Sequence, residues 1–91
     1  MTKEQATKSL IKFAKIGHPH VVKYLVEEAG ANVHAWNNWA LRWAAVNGHL
    51  DVVKYLIEEA GADVHTWDDY PLRCAVYNGH LDVIEYLKGK M

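Results

Sequence analysis

The sequence has few of the features that hold small secreted or membrane proteins together. Its one cysteine, Cys74, excludes an intramolecular disulfide and favours a reducing compartment. No apolar run approaches the roughly 20 residues that span a bilayer, and the charged N-terminus does not resemble a signal peptide. We therefore expect a soluble, cytoplasmic protein that does not bind membranes.

An excess of charge of one sign is also missing. Ten lysines and arginines stand against eleven acidic residues, for a net charge of −1, which disfavours a dedicated nucleic-acid-binding protein. The 91 residues leave no room for separate cofactor and substrate lobes, so we expect no enzyme. A single core of this size buries only about 60% of the unfolded surface, and repetition is one of the usual remedies.

The sequence does repeat itself. The dipeptide Gly-His begins at Gly17, Gly48 and Gly79, at intervals of 31 residues. Residues 21–34 match residues 52–65 closely, and residues 41–52 match residues 72–83. We therefore expect a single domain, residues 1–91, made of units at about 4–34, 35–65 and 66–91, because such periodicity is typical of stacked repeats.

Each unit is predicted to contain two short helices. Apolar residues recur at helical spacing in the first unit, on the first helix at Leu10 and Ala14 and on the second at Val22 and Val26. An Asn-Gly pair such as Asn47-Gly48 is also a hairpin signal. Its flanks follow the helical period, however, so we interpret these glycines as left-handed caps between two helices.

The repeated pattern resembles the ankyrin repeat. The resemblance rests on Leu-Arg-Trp-Ala-Ala-x-Asn-Gly-His-Leu-Asp-Val-Val-Lys-Tyr-Leu at residues 41–56 and on the Gly-Ala-Asp-Val ending at 61–64, and it covers nearly all of residues 4–88. It implies an all-α, ankyrin-type solenoid whose units each end in an outward finger. It also implies a non-catalytic module that binds another protein through a concave groove. The Asn/Asp-rich turns are similar to the ankyrin arrays of giant DNA viruses of amoebae, which would act inside a host cell; a bacterial array or an engineered fragment would also fit.

Two departures from the family pattern concern the finger. The usual Thr-Pro-Leu-His opening is replaced by Trp39-Ala40-Leu41-Arg42 and Tyr70-Pro71-Leu72-Arg73, and the connecting stretch is shorter. We expect a finger reduced to a tight turn. The two arginines would bind finger carbonyls or Asp/Asn side chains, because a guanidinium cannot be buried without partners; the alternative is that they contact a ligand.

The aromatic residues are the best candidates for a binding site. Trp39, Trp43 and Val46-Asn47 share one face of a first helix, as do Tyr70, Cys74 and Tyr77-Asn78 in the next unit. Exposed tryptophan and tyrosine are typical anchors of protein interfaces. The predicted partner-binding residues are Trp39, Trp43, Val46, Asn47, Asp69, Tyr70, Tyr77 and Asn78. Trp36 and Trp67 could instead fill the space of the missing finger residues.

Metal and catalytic sites are not predicted. His18, His49 and His80 occupy equivalent positions on helices that pack about 8–10 Å apart, too far to share one zinc ion. We expect their imidazoles to bond to backbone in the turn between the helices. Cys74 lacks an evident base and should be a small, at least half-buried thiol. No cofactor is expected.

The two ends of the stack differ in character. Residues 1–30 carry five lysines against three glutamates. Lys3, Lys8, Lys12 and Lys15 should form a solvated face on the first helix. The last helix bears Val83, Ile84, Tyr86 and Leu87 with little sequence after it. We expect this helix to fray or to mediate homo-association through the C-terminal repeat, which makes a self-associating structural fragment the alternative function.

Overall fold

The computed structural model describes residues 1–90, so Met91, which the predicted domain and third unit include, lies outside the described residues. The described residues form helices and turns, with no strand among them. The six helices are α1 (Lys3–Ile16), α2 (Pro19–Glu27), α3 (Ala35–Val46), α4 (Leu50–Glu58), α5 (Thr66–Tyr77) and α6 (Leu81–Lys88).

The helices form three consecutive helix–turn–helix repeats that stack into a short solenoid. The first helices α1, α3 and α5 pack against one another in one layer, and the second helices α2, α4 and α6 form the other layer. The stack measures 35 × 21 × 19 Å. The predicted all-α, ankyrin-type solenoid of 31-residue repeats is therefore confirmed.

The core lies between the two layers and between neighbouring repeats. Small side chains on the first helices let those helices approach closely, while branched side chains on the second helices supply volume. The fully buried residues of the central repeat include Leu41, Ala44, Ala45, Val53 and Leu56. Each repeat thus depends on its neighbours for burial, as expected of a solenoid.

Glycines in left-handed conformation join the two helices of each repeat. Gly17, Gly48 and Gly79 have φ values of 92°, 73° and 72°, a region that side chains disfavour. The interpretation of Asn-Gly as a helix cap is confirmed. At the start of α1, Thr2 and Gln5 form the reciprocal capping box that their spacing indicates.

In the C-terminal repeat, the apolar side chains that meet solvent are not those of Val83 and Leu87 on the last helix. Val83 and Leu87 are fully buried, because they face α4 and α5 across the repeat rather than solvent. The large apolar side chains that do meet solvent are Val76, 54% exposed, and Leu81, 73% exposed. No helix within residues 1–90 is both long and apolar enough to cross a membrane.

Candidate functional site

Each finger is a left-handed turn of three residues. Trp36, Asn37 and Asn38 all have positive φ, between 51° and 59°, and Trp67–Asp69 repeat this conformation in the next unit. Such a turn costs about 1–2 kcal/mol for each ordinary residue, less for Asn and Asp. The regular part of α3 and of α5 begins only after these turns. The expected short finger is therefore confirmed.

Arginine side chains close these turns. Arg42 is 8% exposed, and it donates from Nη2 to the carbonyl oxygen of Trp36 at 2.9 Å and from Nε to that of Asn37 at 3.1 Å. Arg73 makes the equivalent bonds to Trp67 and Asp68. The prediction that the arginines bind finger carbonyls is confirmed, and the charged donors offset the cost of the left-handed backbone.

Side-chain oxygens connect each finger to the next. The side-chain oxygen Oδ1 of Asn38 accepts a hydrogen bond from the backbone N–H of Asp63 at 3.1 Å. The hydroxyl oxygen of Thr7 accepts one from the backbone N–H of Asn32 in the same way. The Thr66 hydroxyl donates to the Asn37 carbonyl at 2.9 Å. These bonds fix the spacing of the fingers, and with it the positions of the aromatic residues that follow them.

The aromatic residues form two clusters along the first helices. In the central repeat, Trp36 meets Trp39 edge to face at a centroid distance of 6.1 Å, and Trp39 stacks on Trp43 at 6.5 Å. In the third repeat Trp67 and Tyr70 repeat the edge-to-face contact at 5.7 Å. Such geometries are the favoured ones for aromatic pairs, so the rings brace one another.

Trp36 and Trp67 belong to the fingers more than to an open surface. Both are about half exposed, at 51% and 54%. The Trp67 ring lies 4.1 Å from the guanidinium carbon of Arg42, in the preceding repeat. Trp67 thereby covers the arginine that closes the neighbouring finger, which is a structural use of the ring.

A pair of depressions lies between the first helices α3 and α5. The smaller has a volume of about 90 Å³ and is lined by Trp39, Arg42, Trp43, Val46 and Tyr70. The larger has about 400 Å³ and is lined by Val46, Tyr70, Arg73, Cys74, Tyr77 and Asn78. They share Val46 and Tyr70 and contain no residue of a second helix. The pair therefore opens on the side of the solenoid that faces away from α2, α4 and α6.

We call this side the first-helix outer face and define it by equivalent positions in the three repeats. These positions lie at i, i+4 and i+7 on each first helix. The nine residues are Lys8, Lys12 and Lys15 on α1, Trp39, Trp43 and Val46 on α3, and Tyr70, Cys74 and Tyr77 on α5.

Five of the eight predicted partner-binding residues lie together on this face. Tyr77 is 90% exposed and Trp39 is 39% exposed, while Trp43, Val46 and Tyr70 are half-buried at the depressions. All five are therefore within reach of one ligand that crosses α3 and α5.

The other three predicted residues make bonds within the fold. The Asn47 amide donates to the Lys15 carbonyl at 3.0 Å, and the Asn78 amide donates to the Cys74 carbonyl at 2.9 Å. Asp69 accepts from the His65 ring. Asn78 still lines the larger depression, whereas Asn47 and Asp69 line neither of the two.

The predicted binding residues include none of the lysines at this site, whereas a ligand contact is the alternative that the sequence offers for Arg73. The ammonium group of Lys15 lies 4.4 Å from the centroid of the Trp43 ring, one repeat away, and Arg73 lines the larger depression. The sequence analysis treated the lysines only as a solvated end face. The signal that could have found them is the 31-residue register, which aligns Lys12 with Trp43 and Lys15 with Val46.

The repeated histidines His49 and His80 bond across the repeat boundary, whereas the sequence predicts a bond within the turn between the helices. Nε2 of His49 lies 2.9 Å from the carbonyl oxygen of Lys15, and Nε2 of His80 lies 2.9 Å from that of Val46. The partner is backbone, as predicted, but it belongs to the preceding repeat, at the end of its first helix. The carbonyls at a helix end need outside donors, and the imidazole ring is long enough to supply one across the repeat boundary.

The described titratable groups near this face are not arranged as a metal site. Among residues 1–90, no group of three His, Cys, Asp or Glu side chains lies close enough together to hold an ion. Cys74 is the free, half-buried thiol that the sequence predicts. The neighbouring Cys74 side chain, by hydrogen bonding first and by charge second, raises the pKa of Tyr70 above the usual value.

Tyrosines also link the second helices. The hydroxyl of Tyr55 donates to Glu27 at 2.8 Å, and that of Tyr86 donates to Glu58. Burial, followed by these bonds to a carboxylate, raises the pKa of both tyrosines above the usual value. Each bond joins one repeat to the next on the side opposite the first-helix outer face.

The comparisons with known proteins agree with this architecture. A family model described as "Ankyrin repeats (many copies)" matches residues 41–87, and one described as "Ankyrin repeat" matches residues 10–38. Neither a curated protein nor a solved structure matches the chain. Ankyrin repeats are generally protein–protein interaction modules and generally non-catalytic. From the two matches and the stacked helix pairs, we conclude that the chain belongs to the ankyrin repeat family.

Proposed function

We propose that this protein is a non-catalytic interaction module that binds a partner protein through the first-helix outer face, which would be the concave side of the solenoid. The observation that carries the proposal is Tyr77, a large aromatic residue that is 90% exposed at the rim of a depression of about 400 Å³. An exposed tyrosine beside an open pocket is typical of an anchor in a protein interface.

The proposed anchors are Trp39, Trp43, Tyr70 and Tyr77, with Val46 at the floor. Aromatic residues supply large contact areas with little loss of side-chain entropy, and ring contacts hold Trp39, Trp43 and Tyr70 in place. Asn78 would contribute a polar contact at the larger depression, and Asn47 and Asp69 would do so outside both depressions. We take residues 1–91 as one domain that needs no cofactor for this role.

The setting of the module is part of the proposal. The short Asn/Asp-rich fingers support an origin in an ankyrin array like those of giant DNA viruses of amoebae, with a partner inside a host cell. A scaffold or adaptor role in the cytoplasm would follow. Binding to nucleic acid or to a membrane is not part of the proposed function.

The test compares two exposed tyrosines on opposite sides of the solenoid. Peptides selected on the native protein from a displayed library are rebound to Tyr77→Ala and to Tyr24→Ala, since Tyr24 is 58% exposed on α2. We expect Tyr77→Ala to weaken binding about tenfold or more, as for an interface anchor, and Tyr24→Ala to leave it unchanged. Equal binding by native protein and Tyr77→Ala, with unaltered melting, would refute the proposal.

Self-association through the C-terminal repeat is the second candidate. It is supported by Val76, which is 54% exposed where its counterpart Ala45 is fully buried, and by Leu81 at 73%. Arg73 is exposed, whereas the equivalent Arg42 is covered by Trp67. This face therefore matches the one on which the third repeat already packs. Sedimentation that depends on concentration, and that Val76→Lys abolishes, would favour this function over the first.

A further inference from the structure

The three repeats carry different chemistry at equivalent positions of the first-helix outer face. The first repeat presents three lysines, the second presents Trp39, Trp43 and Val46, and the third presents Tyr70, Cys74 and Tyr77. All three lysines are exposed, and no acidic residue occupies any of the nine positions. A ligand that crosses the three helices therefore meets a basic end first and aromatic rings afterwards.

The basic end and the aromatic part are contiguous. Lys15 places its ammonium group 4.4 Å from the Trp43 ring centroid, so a carboxylate bound to Lys15 would lie beside the smaller depression. At the far end Arg73 uses its Nε and one Nη group on finger carbonyls. A guanidinium has five N–H donors, and this one is exposed at the larger depression.

The opposite side of the solenoid has the opposite charge. The second helices and the residues that end them bear seven exposed acidic side chains against three lysines. The acidic residues are Glu27, Glu28, Asp51, Glu58, Glu59, Asp82 and Glu85. The net charge of the protein is only −1, but the positive and negative charges lie on opposite sides of the stack. This separation of charge would direct an acidic ligand to the first-helix outer face and away from the second helices.

From this arrangement we propose that the partner segment is an acidic peptide with an apolar or aromatic anchor. Its carboxylates pair with Lys12 and Lys15, because Lys8 already lies 3.4 Å from the carboxylate of Glu4 on the same helix. The anchor next to them enters the depressions between Trp43, Tyr70 and Tyr77. The inference rests on the proposed function and adds the chemical class of the ligand. Helices about 8–10 Å apart make the whole face long enough for an extended segment of about six residues.

The same residues favour a peptide over single-stranded nucleic acid. Bases bind by stacking on free aromatic faces, but Trp39 and Trp43 stack on each other with an interplanar angle of 18°, and Lys15 covers the Trp43 ring. The acidic second helices also repel a long polyanion. A short acidic segment can avoid them because it ends within the basic and aromatic strip.

Synthetic peptides test the proposal. One carries a run of glutamates followed by phenylalanine and leucine, the second has lysine in place of each glutamate, and oligothymidine is the third probe. Binding is followed by the tryptophan fluorescence of the 91-residue protein. We expect saturable binding of the acidic peptide that weakens as salt is added. Preference for the lysine peptide or for oligothymidine would overturn the proposal.

Two charge reversals serve as a matched pair. Lys15→Glu should weaken binding of the acidic peptide about tenfold, about 1.4 kcal/mol, whereas Lys23→Glu, an exposed lysine on α2, should not change it. Lys12→Glu repeats the test away from the end of α1, should Lys15→Glu reduce the melting temperature. Equal losses in Lys15→Glu and Lys23→Glu would contradict the inference. If library peptides need Tyr77 but bind Lys15→Glu normally, the proposed function survives and only the acidic ligand is refuted.

Discussion

Replacing Arg42 with leucine should destabilise the protein far more than the same change at Arg73. Both arginines donate two hydrogen bonds to finger carbonyls. Arg42, however, is 8% exposed and its guanidinium lies 4.1 Å from the Trp67 ring centroid. Arg73 is exposed, and among residues 1–90 no following tryptophan covers it. The two variants therefore separate the closure of a finger from the packing of one repeat on the next.

The magnitudes follow from these contacts. A hydrogen bond from a charged donor contributes about 1.5–3 kcal/mol when buried, and an ordinary one about 1 kcal/mol. A desolvated cation–π contact adds about 1–2 kcal/mol. Because the leucine regains part of this sum through its own apolar burial, we expect the free energy of unfolding to fall by about 3–5 kcal/mol in Arg42→Leu. In Arg73→Leu we expect a fall of about 1–2 kcal/mol, because water replaces the lost donors.

Urea and thermal unfolding followed by circular dichroism measure both changes. For a domain of this size, 1 kcal/mol corresponds to about 4–8 °C in the melting temperature. If Arg42→Leu does not fold, Trp67→Leu is the second variant, because it removes the ring that covers the Arg42 guanidinium and keeps the arginine. It should lower the free energy of unfolding by about 1–3 kcal/mol, including the lost apolar burial. Equal effects of Arg42→Leu and Arg73→Leu would show that the finger, and not the repeat interface, accounts for the energy, and would refute this reasoning.

Two further predictions concern glycine and pH. Gly48→Ala should destabilise the protein by about 1–2 kcal/mol more than Gly79→Ala. Both glycines have positive φ, but of the two only Gly48 would place its new Cβ against a ring, that of His80. Equal melting temperatures of the two variants would contradict this prediction. The raised pKa values of Tyr55 and Tyr86 favour the neutral phenol in the folded state, so their contribution to stability is complete below the unfolded value of about 10 and is lost as pH rises above it. Urea titrations from neutral to alkaline pH should show this loss, and Tyr55→Phe with Tyr86→Phe should reduce it; the same alkaline dependence in the double variant would sink the assignment.

Periodicity accounts for what could be predicted from the sequence. The helical spacing of Leu41, Ala44 and Ala45 is enough to predict that these residues face the core, and all three are fully buried. The resemblance to the ankyrin repeat places a finger beside Arg42, and the requirement that a buried guanidinium find acceptors predicts that the arginine binds finger carbonyls or Asp/Asn side chains. The sequence left open which of these acceptors it uses.

Contacts across the repeat boundary were harder to predict. Three consecutive left-handed residues beginning with a tryptophan contradict local propensity, and the turn persists because Arg42 and Thr66 hold its carbonyls from outside. The bond from His49 to Lys15 joins residues 34 positions apart. Lys15 over Trp43 likewise depends on how one repeat is rotated on the next. Local sequence does not encode that rotation, so the contact between Lys15 and Trp43 emerged only from the structure, although the 31-residue register already aligns the lysines with the positions of the aromatic residues.

The most direct test of the proposed binding face is a map of the amide and indole NMR signals during titration with the acidic peptide. We predict that the largest chemical-shift changes fall on the first-helix outer face, at Lys12, Lys15, the Trp43 indole, Tyr70 and Tyr77, while the signals of α2, α4 and α6 change little. If the largest changes fall on the second helices, around Tyr24 or Tyr55, the proposed binding face is wrong.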